Sequence, residues 1–370
     1  MSTQLQIQAV KTPRFRTSLP LITSSSLKKY RACPRLYRYE IVDLVRPLHR
    51  SEAITFGTLG HRGLEAWWLA AQRWPENAPQ WLEAALEAIR NGEQDPYKLA
   101  KAEALMLGYH YRWSEHMVWD GDPIEVVAVE AEYRAPLINP DTWCASLTFQ
   151  RGGKIDAIVR GRRTGRTWLV EHKSSSEDFG AGSEYRRRLV LDPQISHYHV
   201  GARALGYDVS GCIYDVLARP GLDPKKATPV DKQRWTKATL KESARLYAGQ
   251  RLVDETPEEY GERIRADIAD NLEHYFARFM VVRLEAEERA SAANDWQTAL
   301  MIRASERLNL WPQNPGACSM YNRSCAFLSV CSGYEDVSDP TRFRRADRAH
   351  EELSAPRGAV NASDVSGAAE

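Results

Sequence analysis

The chain has 370 residues, with 50 Lys and Arg against 49 Asp and Glu, and 43% of its residues are hydrophobic. That length holds one large domain or two smaller ones. The near-zero charge balance excludes a globally basic nucleic-acid coat, so any positive surface must be local.

Residues 1–20 read as a flexible arm. Thr23-Ser24-Ser25-Ser26 then offers helix N-caps before LKKYRACPRLYRYE, where Leu27, Tyr30, Leu36 and Tyr37 can share an apolar side. Pro34 predicts a turn or break directly after Cys33. FGTLGHRGLEAWWLAAQRW predicts a helix with Leu64, Trp67 and Trp68 facing inward, and Trp74 also reads as core. More helix follows to about Met117. IEVVAVEAEYRAPL alternates and is rich in β-branched residues, the pattern of a strand. SLTFQRGGKIDAIVRG and RTWLVEHKSS predict two further strands joined by a turn at 162–166. QISHYHVGARALGY has helical spacing, and VSGCIYDVLAR reads as another strand. Residues 220–310 read as mostly helical, with a short strand in HYFARFMVVR. From 336 to 370 the composition predicts a disordered tail. This order implies an α/β fold, a mixed central sheet flanked by helices, with helical additions at both ends.

The chemistry concentrates in GGKIDAIVRGRRTGRTWLVEHKSSS. Residues two apart on a strand share a face. Glu171 and Lys173 therefore project together while His172 points the other way. If the two strands pair through the 162–166 turn, Asp156 comes close to both. Two carboxylates in one pocket repel each other and attract a hard divalent cation. Such a cation polarises a phosphate oxygen and acidifies a water, and an adjacent ammonium stabilises developing negative charge. Those are the needs of phosphodiester hydrolysis. An E-x-K at a strand end is also common on solvated sheet faces, so this triplet does not decide alone. Three features add to it: His61 after a Gly-rich turn, Gln194 and Tyr198 one helical turn apart, and an acid, Glu130 or Glu132, in the preceding strand.

In this order GHRGLEAW, VEAE, GGKIDAIV, VEHK and QISHY resemble the motif series of the RecB-like branch of the PD-(D/E)XK nucleases. The resemblance spans about Ser24 to Cys331 and implies a restriction-endonuclease-like core within residues 21–335. It implies Mg²⁺ or Mn²⁺ held by His61, Asp156, Glu171 and the backbone carbonyl of His172. Lys173 would be the catalytic lysine, with Gln194 and Tyr198 supporting the site and contacting DNA. The proline of the family signature is absent, since Ile155 precedes Asp156.

Four cysteines bracket this core: Cys33 near the start, and Cys318, Cys325 and Cys331 near its end. Four thiolates suit a tetrahedral zinc or an iron–sulfur cluster, and spacing alone leaves both open, beside plain free thiols. The arrangement resembles the iron–sulfur staple of AddB-type and CRISPR-adaptation nucleases, which implies a structural [4Fe–4S] cluster closing the domain. The spacing here, C-x6-C-x5-C, has a longer first gap than the C-x2-C-x5-C usual there. Cys144 and Cys212 lie in strand-like stretches and read as buried small hydrophobes or free thiols. Arg186-Arg187-Arg188 is a candidate phosphate contact, or an ordinary solvated loop.

The reading is a DNA exonuclease of recombination, repair or phage DNA metabolism, with a structure-specific endonuclease as the alternative. A catalytically inactive DNA-binding scaffold and a zinc-stapled hydrolase of another substrate class are the competing readings. No G-x-x-x-x-G-K-[ST] is present, so any helicase or recombination motor is a separate chain. Relatives include both rings and monomers, which leaves a homo-oligomer open. No apolar run reaches bilayer length and the N-terminus lacks a signal-peptide core, which predicts a cytoplasmic protein without a membrane partner.

Overall fold

The structure is a computed structural model and describes residues 19–48, 52–115, 117–237, 243–320 and 323–354. The chain opens with β1 (Leu21–Ile22), α1 (Ser24–Ala32), α2 (Pro34–Tyr37) and β2 (Val45–Pro47). Three helices follow, α3 (Glu52–Arg73), α4 (Ala78–Arg90) and α5 (Pro96–Trp113). Then come β3 (Val118–Trp119), β4 (Asp122–Ile138), β5 (Ala145–Gly161) and β6 (Thr167–Ser175). Next are α6 (Glu184–Leu189), α7 (Pro193–Ala204) and β7 (Cys212–Ala218). After these lie α8 (Pro257–Asp270), α9 (Leu272–Tyr275), β8 (Phe276–Val281) and α10 (Glu285–Leu308). The last elements are β9 (Ser319–Met320), β10 (Arg323–Ser324), α11 (Leu328–Cys331) and β11 (Phe343–Arg345).

The fold is mixed α/β. Six strands run in the order β3-β4-β5-β6-β7-β8, and β1 pairs with β5. β5 and β6 are antiparallel, β6 and β7 parallel, and β7 and β8 antiparallel. The chain divides into two compact units: Met1–Arg46, Arg134–Gly153 and Glu288–Glu370 form one, and Pro47–Tyr133 with Lys154–Glu287 form the other.

The larger unit is built on β6 and β7. Every residue of β7 is buried, as are Thr167 to His172 of β6. Strands buried on both faces read as continuous apolar runs, and IYDVLA and WLVE are such runs. On α3, Leu64, Trp67 and Trp68 are buried as their spacing predicts. Burial of side chains of this class contributes roughly 1.5–3 kcal/mol each. Trp74 departs from the expectation: it is 39% exposed, with the Arg73 guanidinium over its ring. It falls one residue past the end of α3, where the apolar stripe no longer meets a neighbour.

α7 can lie close to β4 because residue 201 is glycine. A Cβ there would stand 2.5 Å from the ring of Tyr133. The 162–166 turn forms as expected: Gly165 has φ +69°, and Gly161 N–H donates to the Arg166 carbonyl. Asp122 braces the turn by accepting from the backbone N–H groups of Arg163 and Thr164.

The smaller unit has its own core, in which Ile22, Leu27, Tyr30, Tyr37, Ile302 and Trp311 cluster. Cys33 ends α1 in extended conformation, and Pro34 starts α2 at its first position, where a missing N–H costs nothing. That break turns Leu36 away from Leu27, Tyr30 and Tyr37. It packs instead with Tyr39 against a second cluster of Val45, Phe327 and Phe343.

Two expectations of order need correction. Among the described residues of 219–256 there is no α-helix; they hold one 3-10 turn, Val230–Lys232, and an isolated bridge. Pro220, Pro224 and Pro229 break any helix there. Nor does the chain lose structure at 336: β11 pairs with β2, and Phe343 is buried. The composition of the segment concealed one apolar anchor among charges. The expected arm and the end of the expected tail, 1–18 and 355–370, lie outside the described residues.

Candidate active site

The register of the β5–β6 hairpin assembles the site. Ala157 faces Val170, so one step further the same ladder sets Asp156 opposite Glu171. The His172 backbone N–H donates to Asp156 Oδ2 at 2.9 Å. Glu171 and Lys173 project to one face and form an ion pair. Lys173 Nζ also donates to Gln194 Oε1 at 2.9 Å, and Gln194 Nε2 donates to Tyr198 Oη at 2.8 Å. Asp192 caps α7 by accepting from Gln194 N–H, and the Tyr214 hydroxyl holds its other oxygen. The helix start, and with it Gln194, is thus fixed from two sides.

Burial and the neighbouring Glu171 charge push the Asp156 carboxyl well above the usual range, against the pull of Lys173. For Lys173, burial works against the ammonium, but Glu171 and Asp156 outweigh it and raise its pKa. Glu171 is 1% exposed, and its Oε2 has no hydrogen-bond partner. An orphaned buried carboxylate oxygen is costly unless a cation reaches it. Among the described residues no three His, Cys, Asp or Glu side chains are gathered into a ready-made cage for a metal ion. Here the Lys173 ammonium is the cation at Glu171. The donor set of Asp156, Glu171 and the His172 carbonyl fits a hard divalent ion by its chemistry. His61 stands on α3; burial, then the charges of His172, Lys173 and Lys154, lower its pKa to about 3. A neutral imidazole is the form that ligates metal.

Glu130 adopts φ +50°, a strained backbone for a residue with a side chain, in the middle of β4. The kink breaks the alternation of the strand. Glu130 forms an ion pair with Lys154, and its charge is felt at Asp156. The Arg triplet of α6 is largely spent on local contacts. Arg186 donates to the Phe179 carbonyl and covers the Phe279 ring, Arg187 donates to Gly182, and Arg188 pairs with Glu177.

The sequence reading did not find the polar network behind the strand. The His172 ring lies on the opposite face from Glu171, with Nδ1 3.3 Å from Asp215 Oδ2. Asp215 is fully buried and accepts from Tyr109 Oη at 2.5 Å and Arg278 Nη2 at 3.0 Å. Trp68 Nε1 donates to Tyr109 Oη, and the Arg278 guanidinium stacks over Trp113. An acid inside the apolar run CIYDVLA was the available signal.

In the smaller unit Cys33, Cys318, Cys325 and Cys331 all line one cavity of about 170 Å³. Burial raises the Cys325 thiol pKa, and the other three cysteines add to the rise. The segments are tied beside the cavity. Asn314 Nδ2 donates to the Ala32 carbonyl, Arg35 N–H to Pro312, and Cys325 N–H to Cys318. Of the other two cysteines, Cys212 is buried, whereas Cys144 is an exposed free thiol because it falls outside the strands, in the β4–β5 hairpin.

Comparison with known proteins agrees with the motif series. The family model of the PD-(D/E)XK nuclease superfamily matches residues 22–332. Over 85 residues the chain is 34% identical to a UPF0102 protein of Serratia proteamaculans (strain 568), a stretch covering 22% of this chain and 69% of that protein. The crystal structure of SSO0001 aligns over 79% of this chain and 79% of its own, at 15% identity and a TM-score of 0.28. No described helix is long and apolar enough to cross a membrane.

Proposed function

Because the chain belongs to the PD-(D/E)XK nuclease superfamily, we propose that it is a Mg²⁺- or Mn²⁺-dependent deoxyribonuclease that degrades DNA from its ends. The observation that carries the reading is the convergence of Asp156, Glu171 and Lys173 on one hairpin face. The end-directed mode rests on the RecB-like order of the motifs.

Asp156, Glu171 and the His172 carbonyl would hold the ion, with neutral His61 as a further ligand. When bound, the ion supplies Lewis-acid polarisation of the scissile phosphate and acidification of a water. Lys173 stabilises the charge that develops on the phosphate oxygens and orients the attacking water. Gln194 keeps the ammonium aimed, and Tyr198 keeps Gln194 in its rotamer. The Lys173 ammonium pairs with Glu171 here; with Glu171 holding an ion, it would be free to face the phosphate.

The four cysteines are proposed to carry a structural [4Fe–4S] cluster. All four line one cavity, and the likeness of one early and three late cysteines to the iron–sulfur staple favours the cluster over a single zinc. A subsidiary reading, a structure-specific endonuclease, uses the same site.

The test is incubation of anaerobically purified protein with end-labelled linear and circular DNA, with Mg²⁺, Mn²⁺ or EDTA. Expected is metal-dependent loss of linear DNA with circular DNA spared. Cutting of circular DNA replaces the exonuclease reading by the endonuclease one. No cutting of either overturns the enzyme reading in favour of a DNA-binding scaffold. A brown preparation with iron and sulfide supports the cluster; a colourless one containing zinc overturns it.

A further inference from the structure

Between β7 and α8 the chain departs from the regular fold and forms a short ribbon. Trp235 and Leu246 make an antiparallel bridge. Thr236 N–H donates to the Arg245 carbonyl at 2.8 Å, and Tyr247 N–H to the Arg234 carbonyl at 2.9 Å. The Gln250 side chain staples the arms, accepting from Arg234 N–H at 2.7 Å and donating to the Lys232 carbonyl at 3.0 Å.

The ribbon sets exposed aromatic rings among cations. Trp235 is 49% and Tyr247 54% exposed, which leaves apolar ring faces in water. Lys232, Arg234, Lys237 and Arg245 are all exposed beside them, and Asp231 is the one described acid between 225 and 251. The nearby cations Lys226 and Arg251 are already engaged, with Asp254 and Glu259. In an antiparallel pair opposite residues share a face. Arg234, Tyr247 and Arg245 therefore project to one side, and Trp235 and Lys237 to the other. Each side carries one aromatic ring and at least one cation.

We propose that this ribbon is a binding strip for single-stranded nucleic acid, with Trp235 and Tyr247 stacking on unpaired bases and the four cations neutralising phosphates. The proposal deepens the nuclease reading by naming where the strand is held apart from the cutting site, and it rests on that reading. The chain as a whole carries a net charge of only +1, so an anionic strand is attracted by a local concentration of cations. Acidic peptide would use the cations and leave both rings idle. Duplex DNA would hide the base faces the rings require. A single strand wrapped round the ribbon reaches cations and rings on both faces, and stacking adds roughly 1–3 kcal/mol per base.

The experiment measures binding of the full chain to labelled oligothymidylate in excess EDTA, across a salt series. Arms with the matching duplex and with polyglutamate as competitor run in parallel. W235A/Y247A is expected to weaken single-strand binding by about 30-fold or more with little change for duplex. K232A/R234A/K237A/R245A is expected to flatten the slope of log affinity against log salt by about 3, at about 0.7 for each phosphate left without its cation. Both variants alter exposed side chains and are expected to melt with the wild type. Unchanged affinity in both variants overturns the proposal. So does polyglutamate displacing the oligonucleotide equally from wild type and W235A/Y247A, which assigns the strip to acidic peptide. Cleavage with Mg²⁺ or Mn²⁺ is scored separately: a ribbon effect on binding without any cleavage by the wild type sinks the nuclease reading and leaves the strip.

Discussion

The carboxylate–lysine site and the four-cysteine cavity both collect distant chemistry, but they are held in opposite ways. Asp156 and Glu171 meet because one hairpin has one register, with buried strands on either side. Protein alone supports that geometry: a backbone N–H on Asp156, Gln194 on Lys173, and the Asp215 network behind the strand. The cysteines come from the two ends of the matched region and sit on short elements and loops. Among the described residues, hydrogen bonds such as those from Asn314 to Ala32, Arg35 to Trp311 and Gln313 to Cys331, with a small apolar cluster, tie their segments. A site with its own scaffold is expected to outlive loss of its ion; a site whose ion is the tie is not.

The sharpest test of the first half is Asp215→Asn. It leaves the buried Arg278 without its counter-charge, and breaking such a pair costs about 3–5 kcal/mol. Urea melts with and without chelator are expected to show the same loss. Acid should erase the difference. Burial opposes the Asp215 charge, but Arg278 and His172 outweigh it and hold its pKa well below the usual range. Its stabilisation is thus fully present above the ordinary carboxylate pKa near 4 and lost as pH falls below that. A variant as stable as the wild type at pH 7 would break the comparison.

Next in size is Lys173→Ala, which removes chemistry and leaves scaffold. Single-turnover cleavage is expected to fall roughly 10²- to 10³-fold, with DNA affinity nearly unchanged and, in chelator, a lower melting point because buried Glu171 loses its cation. Cleavage at the wild-type rate would remove Lys173 from the site. On the cysteine side, Cys331→Ser is expected to bleach the preparation and cost on the order of 2–4 kcal/mol, the range for opening a long closed loop. The slope of the urea melt, or protease cutting confined to the smaller unit, reads whether the loss is local. The smallest effect belongs to Tyr198→Phe. It deletes the hydroxyl that accepts from Gln194 and also meets Glu171, at about 0.5–1.5 kcal/mol for each bond lost. A modest fall in cleavage rate, with no change in metal affinity, is the expected result.

Much of the fold was legible because the signals were local. Alternation marked β4 and β5, apolar runs marked β6 and β7, and helical spacing marked α3 and α7. The candidate site was legible for the same reason: Glu171 and Lys173 are two apart on one strand, and Gln194 and Tyr198 one turn apart on one helix. What escaped depends on partners distant in sequence. Asp215 looks like a blemish in an apolar strand until Tyr109 and Arg278 arrive from α5 and β8. The kink at Glu130 is a backbone state that no residue type announces. Charge along 219–256 reads as a helix face unless its prolines are weighed first.

Gly201 sets a narrow tolerance at the centre of the molecule's chemistry. Residues 194, 198 and 201 lie along one side of the same helix, and at its far end nothing larger than hydrogen fits beside the Tyr133 ring. A single methyl added there would act as a wedge, tilting the helix and loosening the grip on the ammonium without touching any group that meets DNA. The position thus offers a throttle: a place where activity can be graded, or made heat-sensitive, by shape alone.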